Sequence, residues 1–233
     1  MQDRRDQWQA RVAHINREIG RTGLAPLTWG NASGLDRATG ELFIKPSGVP
    51  YAELTPNDIV ILDLETLHVI QGDKRPSSDL RTHAALYRAF PRAGGIVHTH
   101  SHHATAWAQL SRPLPCLGTT HADHFAGDVP CTRALTPAEI EWDYTAATGS
   151  VITECFGDLD PADVPAAFVT QHGPFVWGPN PETALDNAVA LEACCQMALL
   201  MMAAGAPLTP IDPALATFHF RRKHGPNATY GQP

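Results

Sequence analysis

Four of the twelve histidines in this 233-residue chain lie within six residues, at positions 98, 100, 102 and 103. His98 and His100 follow an apolar run that begins at Ile96. Successive side chains of a strand point to opposite faces, so a strand would present both imidazoles on the same face. Neutral imidazole is the commonest nitrogen ligand of zinc. The spacing therefore predicts half of a divalent metal site, although a polar patch at a strand end has the same pattern.

His172 is the candidate for a third ligand, because it follows another apolar segment (residues 167–170) and precedes Gly173. Three protein ligands with an open fourth position are typical of catalytic zinc. Asp79, Asp123 and Tyr230 are candidates for proton chemistry beside such a metal. A polar surface loop explains the sequence around Asp123 equally well.

Three short segments offer the groups that bind an anion: residues 30–34, 45–48 and 77–79. They contain small residues, hydroxyl groups and Lys45, and the last precedes a predicted helix whose positive dipole end favours negative charge. Each segment on its own is better explained as a turn, since Gly, Asn, Ser and Pro are common in turns. Neither standard glycine-rich nucleotide motif is present.

Helical and strand patterns alternate along the chain. Helical spacing covers residues 4–20, 80–90, 103–110 and 182–204, and Thr136 has the pattern of a helix N-cap. Short strand-like runs cover residues 42–44, 59–62, 96–98 and 167–170. This alternation predicts an α/β layered domain but does not determine the strand order.

Composition favours a single soluble domain spanning residues 1–233, with 43% hydrophobic and 18% charged residues. A net charge of −7 argues against nucleic acid as the main partner. Five cysteines without a C-x-x-C pair indicate reduced thiols of a cytoplasmic protein. The charged N-terminus has no secretory signal, and the apolar stretch 193–206 is too short to predict a membrane span.

Six motifs occur together in a fixed order and resemble the class II aldolase/adducin family, in particular its L-ribulose-5-phosphate 4-epimerase branch. They are TWGNAS (28–33), KPSGV (45–49), PSSD (76–79), GIVHTHS (95–101), GTTHAD (118–123) and HGP (172–174). The C-terminal motifs HFRRKHG (219–225) and YGQ (230–232) resemble that branch as well. Each motif is weak alone, but the ordered set is specific and runs from about residue 24 to the C-terminus.

The resemblance implies a central, mostly antiparallel sheet flanked by helices, and an enzyme that epimerises L-ribulose 5-phosphate. It implies a zinc or similar divalent ion held by His98, His100 and His172, with Asp79 as a ligand or proton carrier beside it. The positions that match the family's phosphate-binding residues are Asn31, Lys45, Ser47, Gly48, Ser77 and Ser78. Asp123 and Tyr230 match a proton-transfer pair that a neighbouring subunit of a homotetramer supplies, with His219 in support and Thr119 beside them.

One position departs from the branch, which has an acidic residue where this chain has Thr145. Asp143 is the nearby carboxylate that would substitute for it. Two alternative functions remain open: an aldolase, dehydratase or decarboxylase of another sugar phosphate, and a non-catalytic assembly module like the adducin relatives. The paired proton carriers favour the epimerase, because an aldolase that releases its fragments does not need them on both sides.

Overall fold

The computed structural model describes residues 2–224 and residue 228. It opens with helix α1 (Gln2–Arg21), whose buried side chains include Val12, Ile15 and Ile19. These residues recur at helical spacing, so the apolar stripe predicted over residues 4–20 forms the buried face of the helix.

Seven strands form one sheet in the order β4-β3-β2-β1-β5-β7-β6. Every neighbouring pair in this order is antiparallel. The strand bounds are β1 (Gly30–Asp36), β2 (Glu41–Ile44), β3 (Val60–Asp63), β4 (Val69–Gln71), β5 (Gly95–Thr99), β6 (Ala166–Val169) and β7 (Gly173–Gly178). The predicted α/β fold with a mostly antiparallel sheet flanked by helices is confirmed.

The expectation of a turn at residues 30–34 is wrong, because these residues begin central strand β1. Their small side chains allow dense packing between β2 and β5, and all but Gly30 are buried. Asn16 of α1 fixes the strand from one side: its amide donates to the Ala32 carbonyl at 3.1 Å and accepts from the Ala32 N–H at 2.7 Å. The other two segments, at 45–48 and 77–79, do contain turns.

The remaining helices connect and cover the strands. They are α2 (Leu80–Ala89), α3 (His102–Gln109), α4 (Thr119–Ala122), α5 (Pro137–Phe156), α6 (Pro181–Ala203) and α7 (Pro213–His224). The centre of the Trp177 ring of β7 lies 4.8 Å from that of Phe90, the residue after α2, and 5.2 Å from that of Phe156 of α5. These two helices therefore cover one face of the sheet.

Helix α6 is, within the described residues, the one helix long and apolar enough to cross a membrane by length and composition. The core helix of a globular domain meets the same criterion. Leu191, Cys195 and Ala198 of α6 are fully buried, and the helix contacts α3, β5 and β7. Packing inside the domain therefore explains the buried apolar residues of α6, whereas Met197 and Leu200 of the same helix are exposed.

Candidate metal and phosphate site

The register of the central strands brings the three predicted histidine ligands together. Antiparallel pairing aligns His98 of β5 with Phe175 of β7, so the end of β5 lies beside the start of β7. His100 follows β5 directly, and His172 directly precedes β7. One potential ligand atom from each of the three side chains lies within 4.8 Å of the others.

The hydrogen-bonding pattern of these histidines fits a cation. The His98 Nδ1–H donates to the Pro174 carbonyl at 2.9 Å, because a carbonyl can only accept, and the Nε2 lone pair is therefore available. That Nε2 lies 3.2 Å from the Nε2 of His100. Two unprotonated ring nitrogens at this distance repel each other unless they share a proton or a metal ion. The donor set therefore matches three-histidine coordination.

Burial favours the neutral, metal-binding form of these rings. It lowers the pKa of His172 to about 3, and the Coulomb effects of His98 and His100 act in the same direction. Burial also lowers the pKa of His100, followed by the effect of His98. Because metal ligands must be deprotonated, both rings are ready to coordinate at neutral pH.

Two glycines allow the backbone to pass close to these ligands. A side chain on Gly30 would place its Cβ 2.4 Å from the His98 carbonyl oxygen, and Gly30 has a φ of +121°. A Cβ on Gly173 would lie 2.9 Å from the Thr99 carbonyl oxygen. Glycine at both positions is therefore required for the strand spacing around His98.

Asp79 lies at the start of α2 and is linked to β1 by Asn31, whose amide donates to its carboxylate at 2.7 Å. Burial raises the pKa of Asp79, but the neighbouring histidines and this hydrogen bond outweigh it, and the net pKa is lowered. Asp79 is therefore a carboxylate beside the three histidines. The Asn31 Oδ1 is buried without a hydrogen-bond partner among the described residues, so the amide retains an unsatisfied acceptor at the site.

A cavity of about 450 Å³ contains the histidine cluster and the predicted anion-binding segments. Its lining includes Asn31, Lys45, Ser47, Gly48, Ser77, Ser78, Asp79, His98, His100, Tyr144, Thr145 and His172. The structure thus brings together all the residues that were predicted for the metal and the phosphate.

Lys45 supplies the positive charge of this cavity. It is only 2% exposed, and burial lowers its pKa to about 8. Backbone pairing fixes the surrounding turns: the Ser77 N–H donates to the Lys45 carbonyl at 3.0 Å, and the Ser47 N–H donates to the Arg75 carbonyl at 2.9 Å. A buried lysine among serine hydroxyl groups can bind a phosphate dianion.

The predicted proton-transfer residues lie elsewhere in the chain. Asp123 ends α4, and its carboxylate accepts a hydrogen bond from His219 Nδ1 of α7 at 3.0 Å. Lys223 and Arg222 also approach it, at 3.7 and 3.4 Å. Burial raises the pKa of Asp123, but His219 and the two cations lower it overall. Neither Asp123 nor His219 is among the described residues that line the metal and phosphate cavity.

Two further predicted positions belong with this group. Thr119 begins α4 and accepts a backbone hydrogen bond from the Asp123 N–H at 2.8 Å, so it lies beside Asp123 as expected. Tyr230 lies outside the described residues.

Thr145 lines the cavity, but the carboxylate of Asp143 is engaged in other contacts. Asp143 Oδ1 accepts from the Thr145 hydroxyl at 3.1 Å and from the Ala146 N–H at 3.0 Å. Asp143 Oδ2 accepts from Arg81 at 2.7 Å. These partners hold the carboxylate in a capping position, which does not favour Asp143 as a substitute for the missing acid.

Tyr144 is a cavity residue that the sequence interpretation missed. Its hydroxyl lies 3.1 Å from Nδ1 of His172. The break in α5 brings it there, because Asp143 has a φ of −168° and a ψ of 94° inside the helix. The one sequence signal was its position between Asp143 and Thr145, which had already been identified as a place where the chain departs from its relatives.

Curated relatives match almost the whole chain. A protein named L-ribulose-5-phosphate 4-epimerase UlaF from Salmonella paratyphi C is 49% identical over 221 residues, covering 95% of this chain and 96% of that protein. A protein of the same name from Salmonella typhi has the same identity and coverage.

Solved structures share the fold. An L-fuculose 1-phosphate aldolase is 23% identical with a TM-score of 0.79, covering 93% of this chain and 95% of that one. YgbL from Klebsiella pneumoniae, described as a putative aldolase/epimerase/decarboxylase, is 24% identical with a TM-score of 0.74, covering 92% of this chain and 98% of that one.

The family model described as Class II Aldolase and Adducin N-terminal domain matches residues 10–199. This match includes all seven strands and the three clustered histidines. The chain belongs to the class II aldolase and adducin family.

Proposed function

We propose that this protein is an L-ribulose-5-phosphate 4-epimerase that forms D-xylulose 5-phosphate by reversible cleavage of the C3–C4 bond. The observation that carries the proposal is the cavity in which three clustered histidines and a buried lysine with hydroxyl neighbours lie together. The 49% identical relatives that bear this name support the choice of substrate. A non-catalytic assembly role does not require such a ligand set.

The chemistry explains why an aldolase fold suits an epimerase. The hydrogen on carbon 4 of a ketose phosphate is not acidic, so its simple removal is difficult. When the C3–C4 bond breaks, its electron pair remains on the three-carbon fragment as an enediolate, and the carbon 4 hydroxyl loses its proton to become an aldehyde. Rotation of that aldehyde and re-formation of the bond on its opposite face invert carbon 4.

The chain's own residues retain the two-carbon fragment during this rotation. Lys45 would provide the charge for the phosphate, and Ser47, Ser77 and Ser78 offer hydroxyl groups in the same cavity, which Gly48 also lines. Asn31 lies between this group and Asp79. Anchoring by the phosphate keeps the aldehyde next to the enediolate, which favours re-addition over release.

His98, His100 and His172 would hold the divalent metal on which this family depends, and we propose that the metal is zinc. When bound there, such an ion supplies Lewis-acid stabilisation of the negative charge on the three-carbon fragment. Asp79 is the carboxylate beside these ligands, positioned to contact the metal or to hold a proton.

We further propose that Asp123 and Tyr230 carry the carbon 4 hydroxyl proton, one on each side of the aldehyde. The two epimers present that oxygen in different directions, so a carrier is needed at each position. His219 orients the Asp123 carboxylate. Because Asp123 does not line the cavity of its own chain, a neighbouring subunit would supply this pair, as in a homotetramer.

We propose a cytoplasmic location for the enzyme. All five cysteines lie within the described residues and are free thiols, of which Cys116, Cys194 and Cys195 are buried. Such thiols are typical of a reducing compartment.

Product analysis tests the function directly. Incubation of the purified protein with L-ribulose 5-phosphate should give an equilibrium mixture that contains D-xylulose 5-phosphate, followed by NMR. Protein stripped with a chelator should be inactive and should recover when zinc is restored. Absence of D-xylulose 5-phosphate, or accumulation of glycolaldehyde phosphate and dihydroxyacetone, would reject the epimerase in favour of another activity on this scaffold.

A further inference from the structure

The Tyr144 hydroxyl lies next to Nδ1 of His172, one of the three clustered histidines. It lies 3.1 Å from Nδ1 of His172, and the centres of the two rings are 6.0 Å apart. Both residues line the cavity. Because Nδ1 is engaged by this hydroxyl, Nε2 is the nitrogen of His172 that remains for a metal ion.

His98 shows the same arrangement with a different partner. Its Nδ1–H donates to the Pro174 carbonyl, and its Nε2 faces His100. A partner on the second nitrogen fixes the tautomer and the ring orientation of a ligating histidine and increases its basicity. Backbone supplies this partner for His98, whereas for His172 it is the side chain of Tyr144.

The break in α5 brings Tyr144 to this position. The Asp143 carboxylate accepts from the Ala146 N–H, as an N-cap residue does, and the helix resumes after the break. Arg81 of α2 donates to the other oxygen of that carboxylate at 2.7 Å. The helical break is therefore anchored to the helix that begins beside Asp79.

Two further hydrogen bonds fix the backbone carbonyls of Tyr144 and of the residue that follows it. The Thr82 hydroxyl of α2 donates to the Thr145 carbonyl at 2.7 Å, and the Thr148 hydroxyl donates to the Tyr144 carbonyl at 2.8 Å. Thr82 is buried, so water does not compete for this bond. Tyr144 is thus held against His172 by ordered contacts.

We propose that Tyr144 is a positioning residue for the metal site: its hydroxyl accepts a hydrogen bond from Nδ1–H of His172 and thereby presents Nε2 to the metal ion. Asp143 and Arg81 position Tyr144 in turn. The inference rests on the metal site of the proposed function, but it is independent of which sugar phosphate the enzyme converts.

The test compares zinc affinity in the full-length protein with Tyr144→Phe, which removes the hydroxyl and keeps the ring. Competition with a chromogenic chelator should show zinc binding weakened about tenfold, at the lower end of the effect of such partners. The lower end is expected because Tyr144 is 40% exposed and water can replace its hydroxyl. Thermal unfolding of the metal-free protein should be the same as in wild type, which separates positioning from a general loss of stability.

Ser150→Ala is the matched control, because it removes an exposed hydroxyl of the same helix whose one partner among the described residues is the Ala146 carbonyl. Its zinc affinity should equal that of wild type. In the zinc-loaded protein, the ¹⁵N signals of His172 should show a protonated Nδ1, and Tyr144→Phe should shift that signal.

Three results would overturn the inference: equal zinc affinity in Tyr144→Phe and wild type, an equal loss in Ser150→Ala, or a wild-type protein that binds no zinc. A different result would refute the proposed substrate and leave the role of Tyr144 intact. In that case wild type and Ser150→Ala bind zinc more tightly than Tyr144→Phe, but the wild-type protein makes no D-xylulose 5-phosphate.

Discussion

The metal and phosphate cavity differs in construction from the Asp123 cluster, which consists of Asp123, His219, Arg222 and Lys223. Strand register and close backbone packing assemble the cavity, since His98 pairs with Asn31 on one side and with Phe175 on the other. The Asp123 cluster is instead held by side chains of α7 that reach a short helix, α4. The first region is specified within the sheet, whereas the second depends on contacts between peripheral elements.

This difference separates the residues proposed for metal and phosphate binding from the residue proposed for proton transfer. The cavity brings together the proposed metal ligands and the proposed phosphate-binding residues. Asp123, the proposed proton carrier, does not line that cavity. The proposed reaction would therefore be divided between subunits, with bond cleavage in one and proton transfer at carbon 4 supplied by its neighbour.

Removal of a metal ligand should have the largest effect. In His98→Ala combined with His172→Ala, bound metal should be lost and turnover should fall about a thousandfold or more, because Lewis-acid stabilisation is worth several kcal/mol. Elemental analysis and an epimerase assay measure the two effects. The control is His102→Ala, which changes an exposed histidine outside the cluster and should leave metal content and turnover unchanged. Full metal retention in the double variant would refute the ligand assignment.

Asp123→Asn should impair the proposed proton transfer and leave the metal and phosphate cavity intact. Metal content should be unchanged, while kcat should fall by about 10² to 10⁴, the usual contribution of a general acid or base. Asp186→Asn, an exposed carboxylate on α6, should be silent. A drop in metal content with Asp123→Asn would contradict the separation of the two regions.

Mixing subunits tests the same separation more sharply. Reassembly of inactive Asp123→Asn subunits with inactive His98→Ala subunits should restore part of the activity, because some sites then combine an intact cavity with an intact Asp123. Reassembled mixtures that stay inactive would place both regions in one subunit.

The Lys45 ammonium should make substrate binding in the cavity depend on pH. Its pKa is lowered to about 8, so it is charged below that pH and loses its charge as the pH rises further. KM for the phosphate substrate should therefore rise about tenfold between pH 7 and 9, since one pH unit above the pKa about a tenth of the charge remains.

Lys45→Arg serves as the control for this prediction, because a guanidinium stays charged throughout that range. Its KM should not depend on pH between 7 and 9, whatever its absolute value. An equally steep rise in the arginine variant would assign the effect to another group. The stability of the ligand-free protein should change in the favourable direction over the same range. Burial of the charged Lys45 lowers the free energy of unfolding, and this loss fades as the pH rises above about 8.

The smallest effect is expected from a change that touches neither region. Asn180 caps α6 by accepting from the Thr183 N–H at 2.8 Å. Asn180→Ala should lower the free energy of unfolding by about 1 kcal/mol, measured by urea denaturation, with kcat and metal content unchanged. A tenfold loss of activity would show that the helix cap also supports the site.

Much of the local structure could be predicted from the sequence. The apolar stripe of α1, the Pro-Ala-Glu start of α5 after Thr136 and the long apolar α6 all carry signals that arise within a few turns of helix. The strands β2, β3, β5 and β6 were visible as apolar runs for the same reason. Local propensity and periodicity decide these elements.

Strands β1, β4 and β7 were not predicted. In β1 and β7 the reason is that small residues and Gly-Pro normally mark turns. In β1, Asn16 and the neighbouring strand β5 impose the extended conformation on Gly30–Asp36. In β7, pairing with both β5 and β6 does the same for Gly173–Gly178. Tertiary contacts override local preference in both strands.

The sequence by itself determined which chemistry is available: the imidazoles at 98, 100 and 172, the carboxylates at 79 and 123, and the lysine and hydroxyl groups of an anion pocket. Residue type fixes these properties, and the ordered motifs identify the family to which they belong. The tertiary structure decided that strand register gathers the histidines, that burial lowers the pKa of Lys45, and that a broken helix places Tyr144 behind His172. These depend on distances between segments far apart in the chain, which no local pattern encodes.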